Sequence, residues 1–294
     1  MVSVTSETTE RSDQPDGLIQ RLGDIITITR FPSVMAGGAE ALLGAYLAAG
    51  KLSESVALAA AAMAFSVAAA MVLNDIADIE VDAVAKAGRP LPSGRWSVRS
   101  AWFLTSLLGS LAVVCAARIG LAFALGTAAL LAVSALYSYR LKSTVVAGNV
   151  VVALCATVPV VLGAFAGGSP GPRVGAAAGL VFGFMFAYEI TKTISDGKSD
   201  AQSNVRTIAT ACPPQVPLKL LHVVVAVLAL AAFGSAAVSG HPRAYLGMVA
   251  AFLVPTLYAV RTLARRDDPA AVAQSVLAMR IAWVIGSLTL WFLR

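Results

Sequence analysis

Residues 54–82 read ESVALAAAAMAFSVAAAMVLNDIADIEVD, in which an uncharged run over 55–73 closes on Asn74-Asp75-Ile76-Ala77-Asp78-Ile79-Glu80-Val81-Asp82. About twenty residues at 1.5 Å each cross roughly 30 Å of hydrocarbon as a helix, so the run predicts a membrane span. Four carboxylates then fall within eight residues at its mouth. In a chain that is 58% hydrophobic and 13% charged, that knot is costly. Metal binding is the compensation it points to.

The same pattern extends outward. Mean hydropathy is +0.79, and apolar runs of spanning length recur from Phe31 onward. Charged and Pro/Gly-rich breaks divide them near 32–50, 54–73, 97–117, 119–137, 145–166, 174–192, 217–239, 243–260 and 271–292. The expectation is an all-α polytopic membrane protein with nine transmembrane helices. Residues 1–24 are polar and resemble no signal peptide, so they are expected to form a disordered tail before one intramembrane domain over 25–294. With a cytoplasmic N-terminus, sixteen Lys and Arg fall on the cytoplasmic side. Five, Lys51, Arg118, Arg173, Arg243 and Arg294, fall on the other, and Arg280 lies within the last span. This bias matches the positive-inside rule and accounts for the net charge of +6 without nucleic acid. Cys115, Cys155, Cys212, His222 and His241 are isolated, with no zinc or disulfide spacing.

A second acidic cluster, Glu189-Ile190-Thr191-Lys192-Thr193-Ile194-Ser195-Asp196-Gly197-Lys198-Ser199-Asp200, follows another apolar run. The clusters come after the second and sixth spans, on the same side. That layout predicts two four-helix pseudo-repeats plus a ninth helix. At 100° per residue, Asp75, Asp78 and Asp82 fall within about 60° of one another while Glu80 points away. Glu189, Asp196 and Asp200 likewise share a face.

Two carboxylates about 6 Å apart repel by roughly 2–3 kcal/mol at an effective dielectric near 20. Converging clusters therefore call for cations, and oxygen-only ligands select hard ions, above all Mg²⁺. Magnesium takes a few carboxylates together with water and phosphate oxygens. A polyphosphate is the natural third partner, with Lys86, Arg89, Lys142, Lys192 and Arg206 placed to neutralise it. A solvated loop or an ion-pair network is the plainer alternative for either cluster alone. Acids at helix ends on one side, rather than at the midplane beside broken helices, argue against an ion or phosphate transporter.

NDIADIEVD, followed by Lys86 and by Gly88-Arg89-Pro90-Leu91-Pro92-Ser93-Gly94, resembles the first signature of the UbiA-type intramembrane prenyltransferases. Asp196-xxx-Asp200 resembles the second. Between them, Tyr137-Ser138-Tyr139-Arg140-Leu141-Lys142 and Gly148-Asn149 resemble that superfamily's connecting segments. The nearest branch is that of the digeranylgeranylglyceryl phosphate synthases, whose second motif runs Glu-Ile-x-Lys-Asp-x-x-Asp-x-x-Gly-Asp. This chain keeps Glu189-Ile190-Thr191-Lys192 but has Thr193 in place of Asp and Ser199 in place of Gly. The segment Thr29-Arg30-Phe31-Pro32-Ser33-Val34 departs as well.

The resemblance implies two Mg²⁺ ions that clamp an isoprenyl diphosphate. One is held mainly by Asn74, Asp75, Asp78 and Asp82, the other by Asp196 and Asp200. Lys86, Arg89, Lys142 and Lys192 stabilise the leaving diphosphate, joined by Arg206 and Tyr139, and Asn149 lines the substrate pocket. Glu189 is a candidate base or outer ligand, with a buried pair to Lys192 as its other reading. The expected reaction moves a prenyl group within the membrane to a small aromatic acceptor. The alternatives are a glycerophosphate lipid precursor and cyclisation without an acceptor. The resemblance further implies membrane lipid as the surroundings, a bacterial or archaeal plasma membrane as the location, and a site facing the cytoplasm.

Overall fold

The computed structural model describes residues 17–48, 50–203, 205–265 and 268–294, which form helices and their connections with no strands. In chain order these are α1 (Gly17–Ile28), α2 (Phe31–Ala48), α3 (Glu54–Ala77), α4 (Ile79–Ala85), α5 (Val98–Ile119) and α6 (Leu121–Leu136). They are followed by α7 (Ala147–Gly167), α8 (Pro172–Gln202), α9 (Ile208–Ala211), α10 (Gln215–Gly234), α11 (Pro242–Arg265) and α12 (Pro269–Trp291). Eight helical segments, α3, α5–α8 and α10–α12, are long and apolar enough to cross a membrane. The first expected span, α2, is 18 residues long and carries Glu40 in its middle. It falls outside that set of eight, where the sequence predicts nine.

Three expectations are corrected. Of the tail expected over 1–24, residues 1–16 lie outside the described residues, and 17–24 belong to α1. The sixth span does not stop near 192. Helix α8 runs 31 residues to Gln202, about 46 Å at 1.5 Å per residue, so its acidic end stands beyond a 30 Å hydrocarbon layer. The first acidic cluster is not on one unbroken helix either. Asp78 interrupts it with φ −98° and ψ 5°. Backbone N–H groups of Asp78 and Asp82 nevertheless donate to the Asn74 and Asp78 carbonyls at 3.0 and 2.8 Å. The interruption therefore bends the chain without losing the face shared by Asp75, Asp78 and Asp82.

The pseudo-repeat appears where α2 meets α7. A Cβ at Gly44 would lie 1.9 Å from the Val160 carbonyl oxygen, and one at Gly163 would lie 1.9 Å from that of Ala41. Ala41 to Val160 and Gly44 to Gly163 span the same interval, about 120 residues, so each half offers the other the same small-residue surface. Gly37 is also a close-approach site, against Val67, whereas Gly109 makes ordinary contact. A main apolar core joins Leu43 and Leu47 of α2 to α8, α10, α11 and α12. Chain direction alternates through the spans, which collects both acidic clusters, the 137–147 turn and the 86–97 loop at one end. At the opposite end, Arg294 donates to the Tyr46 carbonyl and Arg173 to that of Val238.

Candidate active site

Asp75, Asp78 and Asp82 are buried and Glu80 is exposed, as the helical spacing predicts. The aspartates are surrounded by cations. Asp75 Oδ1 accepts from Arg30 Nη2 at 2.8 Å and from Arg89 Nη1 at 3.3 Å. Arg89 also grips Asp82, which Lys86 approaches at 3.5 Å. Lys142 donates to Asp78 Oδ2, which also accepts from Asn74 Nδ2 at 2.8 Å.

Local structure explains these positions. Arg30 lies at the elbow between α1 and α2 with φ 51°, a left-handed conformation rare outside glycine. The end of α6 widens into a π-helical turn over Tyr137–Leu141, where the Lys142 N–H reaches back five residues to the Tyr137 carbonyl at 3.0 Å. Such turns recur at functional sites, and this one delivers Lys142 to Asp78.

The second cluster lies on the protruding end of α8. Glu189 is buried and bonded to Lys192 Nζ at 2.8 Å, and Lys192 lies 5.8 Å from the Tyr188 ring centroid. Asn149 Nδ2 donates to Thr193 Oγ1 at 3.1 Å, while that hydroxyl donates to the Glu189 carbonyl at 2.9 Å. Thr193 thus ties α7 to α8. Asp196 and Asp200 are half-buried and have no ion pair among the described residues. The charges of Asp196, Lys142, Lys86 and Asp78 all act on Asp200. Both clusters thus lie at the same end of the bundle, where Lys142 is bonded to Asp78.

Some expected residues lie away from this network. Arg206 and Tyr139 are exposed and make no side-chain hydrogen bond among the described residues. Sequence reasoning missed Arg30 as an aspartate partner, and it missed Tyr137. That half-buried tyrosine opens the π turn that ends at Lys142. The change to a π turn left no mark in the apolar periodicity that would have turned Tyr137 inward.

Among the described residues, no three His, Cys, Asp or Glu side chains gather closely enough to enclose a metal. This fits the way Mg²⁺ binds, through one or two carboxylates plus water and substrate phosphate oxygens. Every buried aspartate of the first cluster already has a cationic partner.

Residues 39–292 match the model of the UbiA prenyltransferase family. The chain belongs to this family. Among its relatives are the digeranylgeranylglyceryl phosphate synthases of Methanoculleus marisnigri, 36% identical over 146 residues, and Methanopyrus kandleri, 39% identical over 135. Those alignments cover 48% and 45% of this chain and 51% and 49% of the relatives, so the chain spans about half the length of the curated relatives it matches. Solved structures share the fold over almost the whole length. A structure described for digeranylgeranylglyceryl phosphate synthase superposes with a TM-score of 0.73 at 19% identity, covering 92% of this chain and 98% of that one. A UbiA homologue from Archaeoglobus fulgidus bound to GPP and Mg²⁺ gives 0.69 at 18% identity, with 91% and 99% covered. The protein is thus a polytopic helical membrane protein with the UbiA fold.

Proposed function

We propose that this enzyme transfers a prenyl group from an isoprenyl diphosphate to a hydroxyl of a glycerophosphate lipid precursor, in a Mg²⁺-dependent reaction at the cytoplasmic end of the bundle. The observation that carries this reading is the placement of two acidic clusters at one end of the bundle, with Lys142 bonded to Asp78. The acceptor class rests on the two curated relatives, both named for a glycerophosphate lipid product. The aromatic acceptor expected from the sequence has less support. Thr193, the departure that weakened the lipid reading, bonds to Asn149 and the Glu189 carbonyl and takes no part in the carboxylate cluster.

One or two of the carboxylates Asp75, Asp78 and Asp82, with Asn74, on one side, and Asp196 and Asp200 on the other, would hold two Mg²⁺ ions together with water and substrate phosphate oxygens. The metal supplies neutralisation of the diphosphate charge and polarisation of its oxygens. Arg30, Arg89, Lys86 and Lys142 exchange aspartate oxygens for diphosphate oxygens, so that none of these cations is left unpaired. The C1–O bond then breaks with its electron pair leaving on the diphosphate. The acceptor hydroxyl oxygen bonds to C1, and its proton passes to a nearby base, for which Glu189 is the candidate. The apolar bundle excludes water that would otherwise capture the allylic cation.

The test supplies purified protein in lipid with Mg²⁺ and geranylgeranyl diphosphate, adding either a geranylgeranylglyceryl phosphate or a hydroxybenzoate, and identifies products by mass. The doubly prenylated glycerophosphate is expected. Prenylation of the aromatic alone, or a cyclised hydrocarbon without acceptor, would overturn the acceptor assignment.

A further inference from the structure

Helix α1 has two faces with different surroundings. At 100° per residue, Ile19, Leu22 and Ile26 fall within about 60° of one another, and all three are exposed. Asp24 and Ile28 lie on the opposite side and are buried, Ile28 completely, in a cluster with Val72, Ile76, Leu91 and Ala101. The exposed stripe leads into Phe31 and Met35 at the start of α2, which are exposed like the outward side chains of the spans. Residues 1–16 bring only Met1, Val2 and Val4 as aliphatic cover. A helix of this pattern at the end of a membrane bundle suits the interface, its apolar side in the acyl boundary.

The buried face leads to the catalytic aspartates. Asp24 accepts from Arg95 Nε at 3.1 Å and from Arg95 Nη2 at 3.0 Å, a forked carboxylate–guanidinium pair. The same Nη2 donates to the Gly88 carbonyl at 3.0 Å. The next residue is Arg89, which holds Asp75 and Asp82. At the other end of α1, the left-handed elbow at Arg30 places a second guanidinium on Asp75. One short helix therefore sets both arginines of the first cluster.

We propose that α1 is an interfacial strut, seated in lipid through Ile19, Leu22 and Ile26, and that Asp24 is a positioning residue that fixes Arg89 over the diphosphate site through Arg95 and Gly88. The binding arm of the test rests on the proposed function, and the other two arms do not. A nitroxide attached at Leu22→Cys in the full chain in a bilayer is expected to be reached by oxygen and shielded from a water-soluble nickel chelate. Access by the chelate, as in water, or shielding from both probes, as under residues 1–16, would overturn the seating.

Binding is read with a non-ionising isoprenyl thiodiphosphate and Mg²⁺. Asp24→Asn is expected to weaken it by about tenfold, Arg95→Gln by the same factor, and the pair together by no more, while Asp24→Glu stays within about threefold of the parent. A merely structural role would not give that pattern of coupling and rescue. Parental binding by Asp24→Asn, or losses that multiply in the double variant, would overturn the strut. If the parent chain itself binds no analogue, the proposed function fails. The strut is then decided by amide exchange, expected to quicken over residues 88–95 in Asp24→Asn and contradicted if it does not.

Discussion

Replacing one aspartate from each cluster separates the site's chemistry from its stability. Asp75 bonds Arg30 at 2.8 Å and Arg89 at 3.3 Å, with side-chain exposures of 33% and 25% for the arginines against 5% for the acid. Breaking a fully buried pair costs about 3–5 kcal/mol, and water reaching these half-covered arginines returns roughly half of that, so Asp75→Ala should lose about 2 kcal/mol. Asp196 has no ion pair among the described residues, and its removal should stay within about 0.5 kcal/mol. If both carboxylates serve the same diphosphate, each loss should cost kcat on the order of 10²–10³-fold, about 3–4 kcal/mol of activation energy. The assay pairs thermal unfolding in detergent with Mg²⁺-dependent release of diphosphate. Equal loss of activity with unequal loss of stability is the expected outcome. Normal turnover in Asp196→Ala, or destabilisation as large as that of Asp75→Ala, would refute the reasoning.

Lys142→Ala should raise KM for the isoprenyl diphosphate by about tenfold or more, with Lys142→Arg retaining part of the affinity, because the charge rather than the shape bridges the clusters. Steady-state kinetics at saturating Mg²⁺ reads this directly. Gly163→Ala would put a Cβ 1.9 Å from the Ala41 carbonyl oxygen, and the backbone shift should lower stability by about 2–3 kcal/mol in thermal unfolding. Glu40 is buried and has no hydrogen-bond or ion-pair partner among the described residues. Glu40→Leu is therefore expected to raise the thermal midpoint, by the equivalent of about 1–2 kcal/mol, and a lowered midpoint would show that the acid has a partner.

The readable parts of this molecule were those controlled by period and charge. Apolar runs gave the spans, and the 100° step separated buried Asp75, Asp78 and Asp82 from exposed Glu80. What stayed hidden depended on backbone departures that leave composition unchanged. The bend at Asp78, the π turn that carries Tyr137 and Lys142, and the left-handed Arg30 each re-aim side chains without altering hydropathy. Helix α1 was hidden for another reason. Its apolar stripe is only three residues wide and lies among polar neighbours, so its placement depends on a long-range pair, Asp24 with Arg95, that no local window contains. The extension of α8 past 192 was obscured by its charge, which reads as a loop until the whole helix is seen.

The central claim is that both acidic clusters form one diphosphate site, and binding of an isoprenyl thiodiphosphate tests it without reliance on any acceptor. The account requires tight binding only with Mg²⁺ present, loss of that binding in Asp78→Asn and in Asp196→Asn alike, and no further loss when the two are combined. Binding that persists after chelation, or that survives when Asp196 is replaced, would contradict it.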